Sequence, residues 1–173
     1  MKDFGEILLG EGILTYNNGA TDVEIGFTRG GTFNDNIDIR HVEADGKKGN
    51  TKGDAIIQEC SPTLDFAIVQ MNASVLELIF ANVTAADATG IKTLTRKTGV
   101  IAADQYLANV MYVGQKMDGK DITVKLLNAL GEGPFNFAYN DKGEVEVPCM
   151  FTGNYGDSTE TDAPFEIILD EAV

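Results

Sequence analysis

The feature that most constrains this chain is a series of short segments in which apolar and polar residues alternate. Five segments follow this pattern, and they are centred on Ile25, Phe66, Val124, Val147 and Ile167. Successive side chains of an extended strand point to opposite faces, so a period of two predicts strands that bury one face in a core. The chain is therefore predicted to be mainly β.

Two short turn sequences lie between alternating segments. Asp118-Gly119 and Asp141-Lys142-Gly143 contain residue types that tolerate a positive φ angle, which tight turns between antiparallel strands require. Each turn predicts a hairpin. The first hairpin is expected to join residues 105–113 to residues 121–127, and the second to join residues 135–139 to residues 144–151.

Residues 72–82 show a different pattern, because their apolar members from Val75 to Phe80 recur at helical spacing. Ser74 and Glu77 have the spacing of a capping box, which predicts the helix start. A lone helix of this length needs tertiary packing to persist. We therefore expect one amphipathic helix that covers one end or one face of the sheets.

Length and composition indicate one domain. The chain has 173 residues with 43% apolar content, which is enough for a core without disulfides. No linker or repeat divides residues 1–173, and residues 85–99, which show no clear period, are expected to form a surface loop. The absence of a signal-like start or of a bilayer-spanning apolar stretch predicts a soluble, cytoplasmic chain. Cys60 and Cys149 are expected to be reduced and at least partly buried.

The charge of the chain limits its partners. There are 27 acidic and 13 basic residues, which gives a formal net charge of −14. Proteins that grip phosphates need clustered lysine and arginine, so binding to DNA or RNA is disfavoured. The acidity has two explanations that the sequence leaves open. It serves solubility alone, or it forms a wall along which DNA slides without sticking.

Residues for catalysis are scarce. The only histidine, His41, lies in the strand-like run of residues 37–43, and no nucleophile-elbow sequence offers it a partner serine. The glycine-rich stretches near Gly30 and Gly49 lack the spacing of a phosphate-binding loop. The acids of residues 157–162 lack the spaced ligands of a calcium loop, and a solvated loop is expected there. The sequence predicts no catalytic, cofactor-binding or metal-binding residue and no enzymatic activity.

One short stretch of this acidic chain is basic. Lys47, Lys48 and Lys52 lie close together in the glycine-rich stretch of residues 46–53. If this stretch meets an acidic surface on another copy, the contact is heterologous, and heterologous contacts build rings or filaments. A solvated loop is the alternative explanation.

Turns and strands follow one another in a distinctive order along most of the chain. The amino-terminal half has a strand, a turn and a charged glycine-rich arm, and the carboxy-terminal half has the last strands. The segments are residues 22–33, 42–46 and 49–53, then residues 141–144, 147–148, 151–155 and 164–167. In this order they resemble the tail tube proteins, or major tail proteins, of long-tailed bacteriophages.

This resemblance implies a β-sandwich or partly closed barrel of two antiparallel sheets with one flanking α-helix. It also implies self-assembly into stacked hexameric rings that form a hollow tube, through which DNA passes into the host. Residues 1–12 would be an amino-terminal arm, and residues 29–53 a long hairpin loop that reaches the neighbouring ring. The residues of that loop expected at the contact between rings are Arg29, Arg40, Lys47, Lys48 and Lys52.

The partners and location follow from the same resemblance. They are other copies of the chain, a tape measure protein in the channel, and tail terminator and tail tip proteins at the two ends of the tube. DNA would cross the lumen without specific binding, and no membrane or cofactor is implied. The chain would reside in the virion tail, after assembly in the host cytoplasm. Alternative hypotheses are a tube subunit of a contractile system or tailocin, a β-sandwich binding or decoration module, and a small β-barrel enzyme.

Overall fold

The structure is a computed structural model that describes residues 8–17, 19–26, 28–42, 46, 49–69, 72–137, 143–157 and 161–170. It contains twelve strands and one α-helix in these ranges. The elements are β1 (Leu8–Asn17), β2 (Asp22–Glu24), β3 (Thr28–Asn34), β4 (Ile37–His41), β5 (Ala55–Cys60), β6 (Thr63–Ile68), α1 (Ala73–Ile79), β7 (Val83–Ala88), β8 (Ile91–Arg96), β9 (Leu107–Lys116), β10 (Asp121–Gly131), β11 (Val147–Thr152) and β12 (Phe165–Leu169).

The main strands form two antiparallel sheets that share the long strand β10. The first sheet has the order β2-β1-β9-β10-β12, and the second has the order β10-β11-β6-β3. Residues 121–127 of β10 pair with β9, whereas Leu130 and Gly131 pair with β11. Asn128 lies between these two parts with a φ angle of 46°, a conformation that asparagine adopts more readily than most residues. The predicted β-sandwich-like fold with one flanking α-helix is confirmed.

The core lies between the two sheets. Strand β6 alternates strictly, with Leu64, Phe66 and Ile68 buried, as the sequence predicted. The rings of Phe66 and Phe151 stack with centroids 5.7 Å apart, which joins β6 to β11. From the first sheet, Val110, Leu126 and Leu14 point into the same core. The buried hydrophobic side chains therefore come from strands that are distant in the sequence.

The hairpin predicted at Asp118-Gly119 is confirmed. Strands β9 and β10 pair in antiparallel register, with Gln115 opposite Asp121. Gly119 has a φ angle of 83°, which fits the turn that the sequence indicated.

The hairpin predicted for residues 135–139 and 144–151 is wrong. Residues 135–137 form no strand, and residues 138–142 lie outside the described ranges. Strand β11 pairs instead with β6, and Cys149 lies opposite Phe66. The alternation around Val147 predicted a strand correctly, but the strand that pairs along its whole length lies about 80 residues earlier in the chain, as the pair Val147 and Ile68 shows.

Residues 85–99 were expected to form a surface loop, and this expectation is wrong. Strands β7 and β8 form a hairpin there, with Val83 opposite Arg96. Its turn is Thr89-Gly90, in which both residues have positive φ angles, 52° and 83°. Two consecutive positive φ angles are typical of the turns that match the twist of a two-stranded ribbon.

Arg96 holds the β7–β8 hairpin against the core. Its guanidinium carbon lies 5.9 Å from the ring centroid of Phe80 and 5.8 Å from that of Phe135. The same side chain donates hydrogen bonds to the carbonyl oxygens of Ala81 and Gly133. A cation held over two aromatic rings contributes to stability when it is partly desolvated.

The helix begins differently from the prediction. It covers Ala73–Ile79, shorter at both ends than residues 72–82, and its N-cap is Asn72. The side-chain oxygen of Asn72 accepts a hydrogen bond of 2.8 Å from the backbone N–H of Val75. The capping box of Ser74 and Glu77 is wrong, because the Glu77 carboxylate accepts a hydrogen bond from the backbone N–H of Ala85.

The observed cap predicts different effects for two neighbouring substitutions. Asn72→Ala removes the acceptor at the helix start and is expected to lower the free energy of unfolding by about 1 kcal/mol. Ser74→Ala removes no capping bond and is expected to change it by less than about 0.5 kcal/mol. Urea unfolding of both variants measures the difference. A larger loss for Ser74→Ala than for Asn72→Ala would contradict the observed cap.

The predicted amino-terminal arm, residues 1–12, falls mostly outside the described ranges. Residues 1–7 are not described, and Leu8–Gly12 belongs to β1. The role of residues 1–7 in contacts between copies stays a prediction.

Candidate assembly interface

Strands β4 and β5 form a two-stranded ribbon that pairs with no other described strand. Every residue of β4 is exposed except the half-buried His41, and every residue of β5 is exposed except the buried Cys60. The predicted hairpin loop of residues 29–53 is therefore divided. Its first residues belong to β3 in the second sheet, whereas Ile37–His41 is strand β4 of the ribbon.

The ribbon exposes four isoleucines. Ile39 lies directly opposite Ile57, and Ile37 is two residues from Ile39, so these three side chains share one face. They are 46%, 62% and 44% exposed, in that order. Ile56 lies opposite Arg40 on the other face and is 53% exposed. Single exposed apolar residues are common on protein surfaces, but a cluster of this kind indicates an interaction site.

His41 is the last residue of strand β4. Its Nδ1 atom lies 2.9 Å from Oδ1 of Asp54. The other carboxylate oxygen of Asp54 accepts hydrogen bonds from the backbone N–H and the hydroxyl of Thr51. The backbone N–H of Val42 donates to the carbonyl oxygen of Asp54. The contact with Asp54 holds the imidazole of His41 at the end of β4, and a purely structural role of His41 stays a prediction.

The predicted contact residues do not all lie together. Arg40 in β4 and Lys52, which lies shortly before β5, are both exposed, whereas Lys47 and Lys48 lie outside the described residues. Arg29 belongs to β3 in the second sheet. Their common role in a contact between rings stays a prediction.

Arg29 forms ion pairs within its own chain. It donates hydrogen bonds of 2.7 Å to Glu146 and 3.2 Å to Glu144. The hydrogen bonds to these two carboxylates raise the pKa of Arg29. A backbone hydrogen bond, and then Arg29, lower the pKa of Glu144. The guanidinium of Arg29 thus joins β3 to the segment before β11.

A second candidate surface is the outer side of the first sheet, which ends at strand β12. Among the described residues, β12 pairs only with β10. Ile167, Ile168 and Leu169 are about half exposed, at 51%, 50% and 47%. The expectation that β12 buries one face is therefore wrong for these residues. A sheet edge with exposed apolar side chains is a place where another chain can pair.

An uncharged row of side chains crosses this outer side. The register places Ile13 opposite Val113, Val113 opposite Thr123, and Thr123 opposite Ile168. Ile13 and Ile168 are each about half exposed, at 53% and 50%. Sequence reasoning missed this row, because the cross-strand neighbours are set by pairing between distant strands. The three consecutive apolar residues Ile167, Ile168 and Leu169 were the available signal, since strict alternation would have placed a polar residue at position 168.

The two cysteine thiols have low nucleophilic reactivity. Cys60 and Cys149 are buried and unpaired, as predicted. Burial raises the pKa of Cys149 to about 12, and burial and then Asp35 raise that of Cys60. Both thiols therefore stay protonated near neutral pH, and protonated thiols are poor nucleophiles.

Within the described ranges, no group of three or more His, Cys, Asp or Glu side chains is placed to hold a metal ion. No helix of the described chain is long and apolar enough to cross a membrane.

No protein family and no curated protein matches this chain. Among solved structures, a chain in the cryo-EM structure of the anti-feeding prophage (AFP) baseplate, 6-fold symmetrised, is similar to this one. The likeness covers 97% of each chain at 12% identity with a TM-score of 0.47.

Proposed function

We propose that this chain is a structural subunit that assembles with copies of itself into stacked hexameric rings, forming the hollow tail tube of a bacteriophage. The observation that carries the proposal is the exposed β4–β5 ribbon. A two-stranded hairpin with solvent on both faces is at best marginally stable in water. Four half-exposed isoleucines on such a ribbon therefore favour a partner that covers them.

The two candidate surfaces favour an assembly that repeats. The ribbon and the outer side of the first sheet are different surfaces of one subunit. A contact between unlike surfaces is heterologous, and it closes into a ring or continues as a filament. We assign the edge strand β12 to contacts within a ring and the ribbon to contacts between rings, in accord with the resemblance to tail tube proteins.

The charge of the chain supports a channel for DNA. A tube built from subunits of net charge −14 presents the same sign as the phosphate backbone. Like charge on a channel wall disfavours adhesion, so DNA can pass without specific binding. In this proposal the subunit has no enzymatic role. Its partners besides itself are a tape measure protein and the proteins that end the tube, and it resides in the virion.

Electron microscopy of the purified chain at high concentration, together with its mass in solution, tests the proposal. Rings or hollow tubes with six subunits per layer are the expected result. If the chain stays monomeric, capture of tape measure or tail tip proteins by the tagged subunit is the second measurement. A monomer that captures neither would contradict the proposal and favour a binding or decoration module.

We expect the contacts between rings to weaken in salt. Raising the sodium chloride concentration from about 0.1 M to about 1 M shortens the screening length from about 10 Å to about 3 Å, so exposed ion pairs lose most of their attraction. The mean tube length measured by electron microscopy should fall. The variant in which Lys47, Lys48 and Lys52 are replaced by glutamine serves as the control, and its tubes should depend less on salt. Wild-type tubes of constant length would show that lysine charge contributes nothing to stacking.

A further inference from the structure

We infer that a pocket at the place where β10 passes from the first sheet to the second binds a neutral sugar of the β-glucoside type. The pocket, which we call the tyrosine pocket, has a volume of about 390 Å³. This volume falls within the range of about 300–1,000 Å³ that is typical of sites for small ligands. The lining residues are Ala103, Tyr106, Asn128, Asn154, Tyr155 and Gly156. The inference goes beyond the proposed function, because it concerns a site on each single subunit.

Three segments of the chain meet at the tyrosine pocket. Tyr106 follows a short 3₁₀ turn, Ala103–Gln105, and directly precedes β9. Asn128 is the residue of β10 that has a positive φ angle, and Asn154 and Tyr155 follow the end of β11. Because the bend of β10 connects the two sheets, the pocket forms only when both sheets are in place.

Hydrogen bonds fix the two asparagines of the tyrosine pocket. The side-chain N–H groups of Asn154 donate to the backbone carbonyl oxygens of Asn128 at 3.0 Å and of Thr152 at 2.9 Å. The side-chain amide of Asn128 donates in return to the carbonyl oxygen of Asn154 at 3.1 Å. An asparagine side chain has two N–H donors and one acceptor oxygen, so Asn154 offers a ligand its oxygen, and Asn128 offers one N–H and its oxygen. A hydroxyl group both donates and accepts, so these amides suit a ligand with several hydroxyls.

Two tyrosine rings supply the apolar surface of the pocket. Tyr106 and Tyr155 are each 37% exposed. The Tyr155 hydroxyl accepts a hydrogen bond of 3.2 Å from the backbone N–H of Cys60, so its ring is held in place before a ligand binds and loses little conformational entropy. In a β-glucoside the ring hydroxyls are equatorial, which leaves flat faces of C–H groups. Such a face packs on an aromatic ring, while the hydroxyls at its edge bond to polar groups beside that ring.

The charge around the tyrosine pocket favours a neutral ligand. No charged residue lines it, although the chain has a net charge of −14. Other concave surfaces of the described chain differ, because Glu59 and Asp162 line one beside β5, and Glu24 and Lys92 line one beside the helix start. Asp104, in the 3₁₀ turn next to the pocket, adds negative charge that disfavours phosphorylated or carboxylated ligands. A nucleotide is therefore less suited to the pocket than a neutral sugar.

Titration of the isotope-labelled full chain with cellobiose, followed by NMR, tests the inference. Cellobiose is the probe because its two β-linked glucose rings are neutral and have flat C–H faces. The backbone amides of Tyr106, Asn128 and residues 154–156 should shift together, with a dissociation constant on the order of 1 mM. Sorbitol carries hydroxyls but no ring, so it should bind at least about tenfold more weakly.

Substitutions at Tyr106 separate stacking from a general effect on the fold. Tyr106→Ala removes one ring and is expected to weaken cellobiose binding at least about tenfold. Tyr106→Phe keeps the ring and should bind within about threefold of the wild type. The matched control is Met117→Ala, because Met117 is 55% exposed and lies just beyond the far end of β9. Circular dichroism checks that each chain folds. If Tyr106→Ala does not fold, Tyr106→Leu, which keeps an apolar side chain, replaces it with the same expected loss.

Several results would overturn the inference and leave the proposed function intact. They are the absence of amide shifts at about 20 mM cellobiose, shifts confined to other parts of the chain, equal binding of sorbitol, and equal losses in Tyr106→Ala and Met117→Ala. A proline-rich peptide that shifts the pocket amides when cellobiose does not would also overturn it, in favour of a peptide site. A chain that binds cellobiose in the pocket, but forms no rings or tubes and captures no tail protein, would overturn the proposed function and leave the inference intact.

Discussion

Replacing Ile37, Ile39 and Ile57 by threonine is expected to abolish stacking while the subunit stays folded. Threonine keeps the β-branched shape that strands favour, so the ribbon should still pair. Burial of one isoleucine contributes about 1.5–3 kcal/mol, and these side chains are already about half covered in the free subunit. The triple substitution should therefore weaken each contact by on the order of 3 kcal/mol, roughly a hundredfold in the association constant.

Sedimentation velocity across a concentration series measures this change, and electron microscopy reports whether rings survive without stacking. The control replaces two other exposed apolar residues, Ile91 at 69% and Val100 at 96% exposure, by threonine. It should assemble normally, because neither residue lies on the ribbon. Equal losses in both variants would indicate a general effect of surface hydrophobicity, and unchanged tubes from the triple variant would exclude the ribbon as the stacking surface.

Gly131→Ala is expected to destabilise the subunit by about 3 kcal/mol. Gly131 ends β10, and its carbonyl oxygen accepts a hydrogen bond of 3.0 Å from the backbone N–H of Ala81, just after α1. A Cβ atom at Gly131 would collide with the backbone carbonyl of Ile79, the last residue of the helix. Because the obstacle is backbone, the helix would have to move away from the sheet, and overpacking of this kind costs about 1–3 kcal/mol or more.

Urea unfolding measures the loss, and Gly31→Ala is the control. A Cβ atom at Gly31 would lie 3.9 Å from the ring of Tyr112, an ordinary contact distance. The control should therefore change the free energy of unfolding by less than about 0.5 kcal/mol. A similarly small change for Gly131→Ala would mean that α1 does not pack tightly on the end of β10.

Secondary-structure elements that depend on residues close together in the sequence were predictable. Strand β6 was predictable because its large apolar residues Leu64, Phe66 and Ile68 are two positions apart, and the same period of two appears in the structure as a buried face. The β9–β10 hairpin was predictable because the Asp118-Gly119 turn joins its strands directly. The helix was predictable from its apolar spacing, although its cap was not. Asn72 and Ser74 both suit an N-cap, and packing of the helix end decides between them.

Strand pairing and side-chain exposure, which depend on residues far apart in the sequence, were not predictable. Strand β11 pairs along its whole length with β6, and both strands have a similar alternation, so no local signal distinguishes this pairing from a hairpin with residues 135–139. The exposure of Ile167, Ile168 and Leu169 has the same cause, because an edge position in a sheet is known only when all strands are placed. The hydrogen bond from the backbone N–H of Cys60 to the Tyr155 hydroxyl likewise joins residues 95 positions apart.

By itself, the sequence determined that this chain is mainly β, where most of its strands and its helix lie, and that its surface is acidic. These properties depend on side-chain periodicity and charge, which are local or additive. Only the tertiary structure decided which strands pair, that β4 and β5 stand apart as a ribbon, and which isoleucines remain exposed. Those properties depend on contacts between distant residues, whose free energy is gained only when the whole core is assembled.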